Sequence, residues 1–461
     1  MILEIYGGAG FVTGSCHILR VNNKIILLDC GLFQGKEDKK GENDKFPFNE
    51  EDIDYVILSH GHIDHSGRIP YLIKNGFKGE VICTNATKDL CEVMLRDSGN
   101  IQEMECVIKN KYREKKGKKA LKPLYTEEEG IYALKHFKGV KYEERIELFE
   151  GVHIYFKDAG HLLGSAITEI YIKDNEDGKE KKLVYSGDIG NKDRPLIEDP
   201  SKINNGDYIL MECTYGDTYH EEQDYFKCLI DIIKKTIKRG GNVIIPCFSI
   251  GRTQEILYIL NDFVEKGEIK PRVFVDSPLA KKATSIFKKH SDDFDYEARE
   301  LLKEGDDPLE FKNLVFTESS EESKGIKRYR EPCIILSSSG MCDGGRIKYH
   351  LLNNIEEDKN SIVFVGYQSP GTLGRSIVDK NEYVRILGKK RRVLAEIHKI
   401  YGLSGHGDKK ILLDWIESFN KKPEKIILVH GEEEIRLAFK NELQEKGYSV
   451  LTPSKGCIIK L

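Results

Sequence analysis

Four side chains able to bind a metal, His60, His62, Asp64 and His65, stand within six residues of one another in the stretch DIDYVILSHGHIDHSGRIP, which runs from Asp52 to Pro70. Before them, Ile53, Tyr55, Val56, Ile57 and Leu58 pattern as a buried strand that ends at Ser59. A strand that stops at a polar turn fixes its backbone while consecutive side chains point in different directions, so neighbouring ligands can serve two ions. Gly61 permits close backbone approach, and Asp64, His65 and Ser66 are expected to begin a helix that continues through Arg68 to Lys74. Imidazoles and carboxylates without cysteine suit a catalytic ion better than a structural one.

Further candidates stand where other apolar strands end. Asp29 closes KIILLDCG, His161 lies in DAGHLLGS, Asp188 in YSGDIG and Glu212 in YILMECTYGD. His406 in KIYGLSGHGD and His430 in KIILVHGEEE each follow a short apolar stretch beside glycine. His17 and His153 fall inside strands and read as packing residues.

The elements that must position these groups follow from patterning. Residues 1 to about 35 alternate as hairpins, with Asn22-Asn23 as a turn signal, residues 85 to 122 look mainly helical, and strands return from Arg145. Near Asp207 the character changes to alternating strand and helix. GNVIIPCF, PRVFVDSP, PCIILSSSG and SIVFVGYQ are near-continuous apolar runs before polar turns, as in a parallel sheet covered on both faces. The first pattern resumes after residue 395, so the second domain is inserted in the first. The expected parts are 1–208, an inserted 209–395, and a completing 396–461. On the inserted sheet, Ser249, Arg252, Ser339 and Arg375 lie in glycine-rich turns of a kind that suits phosphate.

Composition narrows the class. Hydrophobic residues make up 39% of the 461 and charged residues 32%, with a formal charge of −4, so any polyanion contact must come from a local patch. The strongest basic run is Lys109 to Lys122. The eleven cysteines include no C-x-x-C pair, no apolar run approaches a membrane span, and the amino terminus lacks a basic leader, which predicts a reduced, cytoplasmic protein.

The HGHIDH run with Asp29, His161 and Asp188 resembles the signature of the metallo-β-lactamase superfamily. Glu212, His406 and His430 with the inserted stretch resemble its β-CASP branch of nucleic-acid-processing nucleases. TYGD, GRTQE, DSPLA, SSSGM, GYQ, GTLGR, SGHGD and LVHGE look most like compact archaeal and bacterial relatives of the cleavage and polyadenylation specificity factor nuclease.

The resemblance implies an α/β architecture, an αββα sandwich with an inserted parallel-sheet domain. It implies a ribonuclease acting on single-stranded RNA with two Zn2+ per chain, no membrane association, and a homodimer, since relatives often dimerise. By the same resemblance His60, His62 and His161 hold one zinc, Asp64, His65 and His430 hold the second, and Asp188 bridges them. Asp29 orients ligands and Glu212 supports His406 near the scissile phosphate; with Asp64, these three complete the expected catalytic set. A DNA-directed relative is the nearest alternative, although the DNA-acting branches typically carry valine where His430 stands. A non-catalytic scaffold would have lost ligands, and here every position is filled.

Overall fold

The computed structural model describes residues 1–38, 41–173, 178–220, 224–369, 371–400 and 404–461. They form two compact units, the first from 1–192, 199–219 and 406–461, the second from 193–198 and 220–405.

The first unit contains two seven-stranded sheets. One runs in the order Ile458–Lys460, Ile2–Ile5, His17–Val21, Lys24–Leu28, Tyr55–Ile57, Glu80–Thr84 and Phe137–Val140. The other runs Val450–Leu451, Lys425–Val429, Tyr208–Glu212, Glu180–Tyr185, Ala166–Lys173, Val152–Asp158 and Ile146–Phe149. Period-two alternation sorts neighbours to opposite faces. Leu28, Ile57, Leu210 and Ile427 enter the cluster between the sheets. Leu27 and Val56 face outward with Leu72 and Leu95 of the helices Ile69–Lys74 and Asn85–Glu114. On the other side Met211 and Leu428 pack with Leu412, Trp415 and Phe439 of the helices Lys409–Glu417 and Glu433–Glu445. The layers are therefore helix, sheet, sheet, helix.

Asn22 and Asn23 both take left-handed backbone, with φ of 50° and 63°, and close the hairpin of His17–Val21 with Lys24–Leu28. The helix expected to run from Asp64 to Lys74 is instead two short ones, Ile63–Ser66 and Ile69–Lys74. A Cβ at Gly67 would lie 2.4 Å from the carbonyl oxygen of Ile63, so glycine allows the chain to bend there.

The second unit holds a six-stranded sheet in the order Leu314–Phe316, Arg272–Asp276, Cys333–Ser337, Val243–Pro246, Ser361–Phe364 and Glu396–Lys399, parallel throughout. The expected bounds of the insertion shift at both ends. Tyr208–Glu212, read as its opening strand, is parallel-paired on both sides within the first unit, which gives it the same uninterrupted apolar pattern. Glu396–Lys399, read as lying beyond it, is the edge strand of the second unit's sheet. No helix among the described residues is long and apolar enough to cross a membrane.

Candidate metal centre

The centre is assembled at strand ends, beginning with Asp29, which follows Lys24–Leu28 with φ of 58°. Its Oδ1 accepts from the Ser59 amide at 2.7 Å, and its Oδ2 accepts from the Ser59 hydroxyl at 2.7 Å and the Tyr185 hydroxyl at 2.6 Å. The same Oδ2 lies 2.7 Å from Nδ1 of His65. A fully satisfied carboxylate of this kind serves as an anchor, and it turns Nε2 of His65 toward the centre.

Hydroxyl groups set the other ring orientations. Ser59 gives its one proton to Asp29, so its oxygen accepts from Nδ1 of His60 at 3.1 Å and leaves His60 Nε2 with a lone pair. Thr214 Oγ1 donates to Glu212 Oε2 at 2.5 Å and faces Nδ1 of His430 at 3.1 Å, so Nε2 of His430 is directed inward. Close backbone approach makes this convergence attainable: a Cβ at Gly31 would lie 1.6 Å from the Asp64 carbonyl oxygen, and one at Gly190 1.6 Å from that of Gly160.

Three overlapping groups of donors result. The ligand atoms of His60, His62, His161 and Asp188 all lie within 4.8 Å of one another, as do those of Asp64, His65 and His430, and those of Asp188, Glu212, His406 and His430. Nδ1 of His62 is 3.1 Å from Nε2 of His60 and 3.1 Å from Nε2 of His161, while Nε2 of His65 is 3.3 Å from Nε2 of His430. Asp188 sits between the groups, its Oδ2 3.3 Å from His65, 3.6 Å from His60 and 3.7 Å from His161. Its Oδ1 is buried and has no hydrogen-bond partner.

Electrostatics follow from burial and proximity. Burial pushes the imidazoles of His60 and His62 below their ordinary value, so both are neutral donors. Burial opposes ionisation of Asp188, yet His430, His65 and His406 hold its carboxyl well below the usual range. His65 is desolvated as well, but Asp188, Asp64 and Asp29 outweigh that and draw a proton to it. The pull these carboxylates exert on a proton is the pull they would exert on a cation. Lone pairs facing one another around a carboxylate with an unpartnered oxygen fit metal ions better than any internal pairing.

Beside the donors stands His406, half-buried, whose Nδ1 is 2.9 Å and 3.1 Å from the two oxygens of Glu212. Glu212 also accepts from the Ile189 amide at 2.6 Å. Burial alone would lower His406, but Glu212 and Asp188 outweigh it and hold the imidazolium up to about 9. The apolar stretch expected before His406 runs through residues 401–403, which lie outside the described residues.

All the sequence-predicted ligands thus converge, together with Asp29, Glu212 and His406. Ser59, Tyr185 and Thr214 join them without any signal of ligand type in the sequence; Ser59 adjoins the histidine run and Thr214 lies in the CTYGD stretch. The expected phosphate residues are not brought together in the same way. Ser249 is buried among hydroxyls, 2.9 Å from that of Ser277 and 2.7 Å from that of Ser338, and Ser339 turns to Gly344. Arg252 pairs with the buried Glu255, which also takes Arg194, and Arg375 pairs with Asp379 at 2.8 Å. Arg252 is thus held inside by an acid of its own helix, whereas Arg375 stays partly exposed beside Asp379. His17 is a packing residue, its ring 6.0 Å from Tyr185 and pushed by burial to about 3.

Comparison with known proteins places the chain in a family. The metallo-beta-lactamase superfamily matches residues 9–104, the Beta-Casp domain residues 253–377, and the Zn-dependent metallo-hydrolase RNA specificity domain residues 390–453. A ribonuclease of Thermus thermophilus is 36% identical over 448 residues, covering 96% of this chain and 96% of that protein. The transcription termination factor FttA of Methanocaldococcus jannaschii is 32% identical, over 95% of this chain and 68% of its own length, and an RNase J-like protein of the same organism is 32% identical over 95% and 94%. In three dimensions the chain resembles a protein of unknown function from Enterococcus faecalis V583, with a TM-score of 0.59, 13% identity, and coverage of 100% and 99%; that likeness concerns the fold alone. The chain belongs to the β-CASP family of the metallo-β-lactamase superfamily, and is a metal-dependent hydrolase of ribonuclease type.

Proposed function

We propose that the chain hydrolyses phosphodiester bonds of single-stranded RNA with two zinc ions. His60, His62 and His161 would hold one, Asp64, His65 and His430 the other, and Asp188 would be shared. The observation that carries the reading is the buried Oδ1 of Asp188, which accepts no hydrogen bond although it stands among inward-facing donors. Bound there, zinc supplies Lewis acidity toward both a phosphodiester and water.

The rest is the work of the chain's own side chains. Asp29 and Ser59 fix the rings of His65 and His60, and Thr214 fixes that of His430. Glu212 engages Nδ1 of His406, which leaves Nε2 to carry a proton. With its pKa held up to about 9, that imidazolium persists through neutral pH and can place its proton on the leaving oxygen.

The test is incubation of the zinc-loaded protein with single-stranded RNA bearing a 5′-monophosphate or 5′-triphosphate, beside a matched DNA. Internal fragments regardless of the 5′ group would identify an endonuclease, and mononucleotides released only from the monophosphate a 5′-exonuclease. Cleavage of DNA alone, or of neither, overturns the proposal. His62→Ala should lose both metal and cleavage, whereas His406→Ala should lose cleavage and keep its metal. Equal metal loss in the two contradicts the division of roles.

A further inference from the structure

Phe248 is 49% exposed, the only phenylalanine among the described residues that stands so far into solvent. It lies just after the strand Val243–Pro246, at the carboxyl edge of the second unit's parallel sheet. Tyr367, 51% exposed, lies just after the strand Ser361–Phe364, which pairs directly with Val243–Pro246.

The connections from these two neighbouring strands diverge. From Val243–Pro246 the chain goes to Arg272–Asp276, on the Leu314–Phe316 side of the sheet. From Ser361–Phe364 it reaches Glu396–Lys399, at the opposite edge. Neighbouring strands whose connections part in this way form a topological switch point, and the carboxyl edge there is where open parallel sheets bind their ligands. Each of the two diverging loops carries an exposed aromatic ring.

Both loops are built around Gly340. A Cβ there would come within 3.2 Å of two ring atoms of Phe248, so the ring rests close against the Gly340 backbone. The Gly340 carbonyl lies 3.0 Å from the side-chain nitrogen of buried Gln368, which also reaches the carbonyls of Gly366 at 3.2 Å and Tyr367 at 3.1 Å. The buried amide winds the loop about itself and leaves Tyr367 on the outside. Next to Phe248 is the polar cluster of Ser249, Ser277 and Ser338. That cluster is largely buried and bonded within itself, which anchors the loop beneath the ring, and an exposed aromatic face with no polar handle complements a flat apolar disc.

We propose that this switch point is a stacking site for an unpaired nucleobase of the RNA strand, with Phe248 and Tyr367 as its aromatic faces. The inference rests on the ribonuclease reading and adds a place where the strand is gripped by its bases. Stacking is tolerant of sequence, so the grip would favour single strands over duplexes without selecting a base.

The test uses the zinc-loaded full chain and a short single-stranded RNA with phosphorothioate linkages, carrying 2-aminopurine at one position at a time. Fluorescence quenching is expected at a fixed position along the strand. Phe248→Ala should weaken binding about tenfold and remove the quenching, and Tyr367→Ala should act in the same direction. Phe248→Trp should restore both signals, whereas Phe248→Leu, which keeps apolar bulk without a ring, should not. Unchanged affinity and quenching in Phe248→Ala overturn the inference while leaving the ribonuclease reading intact. A chain that neither binds nor cuts RNA overturns both. Quenching of free 2-aminopurine riboside monophosphate as strong as that of the strand overturns the role in gripping RNA and assigns the site to free nucleotides.

Discussion

Asp188 in the first unit and Asp276 in the second are both buried aspartates near strand ends, and in both the carboxyl is held below its usual range. Their surroundings differ in one respect. Asp276 has every acceptor site met: Oδ1 takes the Thr317 hydroxyl at 2.5 Å and the Arg346 guanidinium at 2.8 Å, and Oδ2 takes the Ser323 hydroxyl at 2.6 Å and His350 at 2.6 Å. Asp188 has one oxygen with no hydrogen bond, 3.6 Å from Nδ1 of His430, and its other oxygen faces the imidazole nitrogens of His60 and His161 beyond hydrogen-bond distance. Buried polar groups are nearly always satisfied, so a saturated carboxylate reads as part of the scaffold and an unsaturated one as a place kept for a ligand.

The comparison breaks most easily at Asp188. Asp188→Asn is expected to lower kcat/KM on RNA by about a thousandfold or more, since it removes the charge shared by both donor groups. Bound metal measured by mass spectrometry should fall with it. If metal and activity survive in Asp188→Asn, the unpartnered oxygen has no functional meaning and the contrast with Asp276 collapses.

Asp276→Asn should do the reverse, leaving metal content intact and activity of the folded protein within a few-fold of wild type. Its loss appears in stability, about 3 kcal/mol for leaving the Arg346 guanidinium without the carboxylate it pairs with, or roughly 10 °C in the melting of the second unit. The pH dependence has a definite sign. Burial would raise the carboxyl, but His350, Ser323, Thr317 and Arg346 outweigh it, so the folded value lies below the unfolded one. The contribution is therefore fully present above the unfolded value near ~4 and is lost as pH falls below it. The difference in Tm between wild type and Asp276→Asn should accordingly be constant from pH 7 to about 5 and shrink below about 4. A difference that grows on acidification would mean that the donors around Asp276 do not stabilise its charged form.

How far each aspartate's role is legible in the sequence depends on where its partners lie in the chain. The run from His60 to His65 is legible because ligand types crowd together after an apolar strand, and His161, Asp188 and His430 repeat the same strand-end setting beside small residues. Tyr185 and Thr214 are not, because a hydroxyl residue at a strand end is ordinary until its partner is known. The partner of Tyr185 lies 156 residues away and that of Thr214 lies 216 away. Arg252 misleads in the opposite sense: its turn has the look of a phosphate site, yet Glu255 on the same helix claims the guanidinium. The parallel sheet of the second unit is legible from its apolar runs, but the same pattern in Tyr208–Glu212 cannot say which sheet the strand joins, and that moved the domain boundary.

Thr214 offers the finest probe of the contrast, because it touches the centre without being a ligand. Its proton goes to Glu212, so its oxygen fixes Nδ1–H of His430 and thereby presents Nε2 to Asp64 and His65. Thr214→Val keeps the shape and removes the hydroxyl's bonds to Glu212 and His430; it should cost about 10- to 100-fold in activity or metal affinity, the usual consequence of freeing a ligand's orientation. Thr214→Ser restores the hydroxyl and should recover most of it, which a simple packing defect would not permit. A Thr214→Val protein with full metal affinity and full kcat would show that His430 is oriented by its strand alone. The inward direction of its ring would then come from the left-handed backbone at φ of 46° and the amide bond to Gly8 rather than from the hydroxyl.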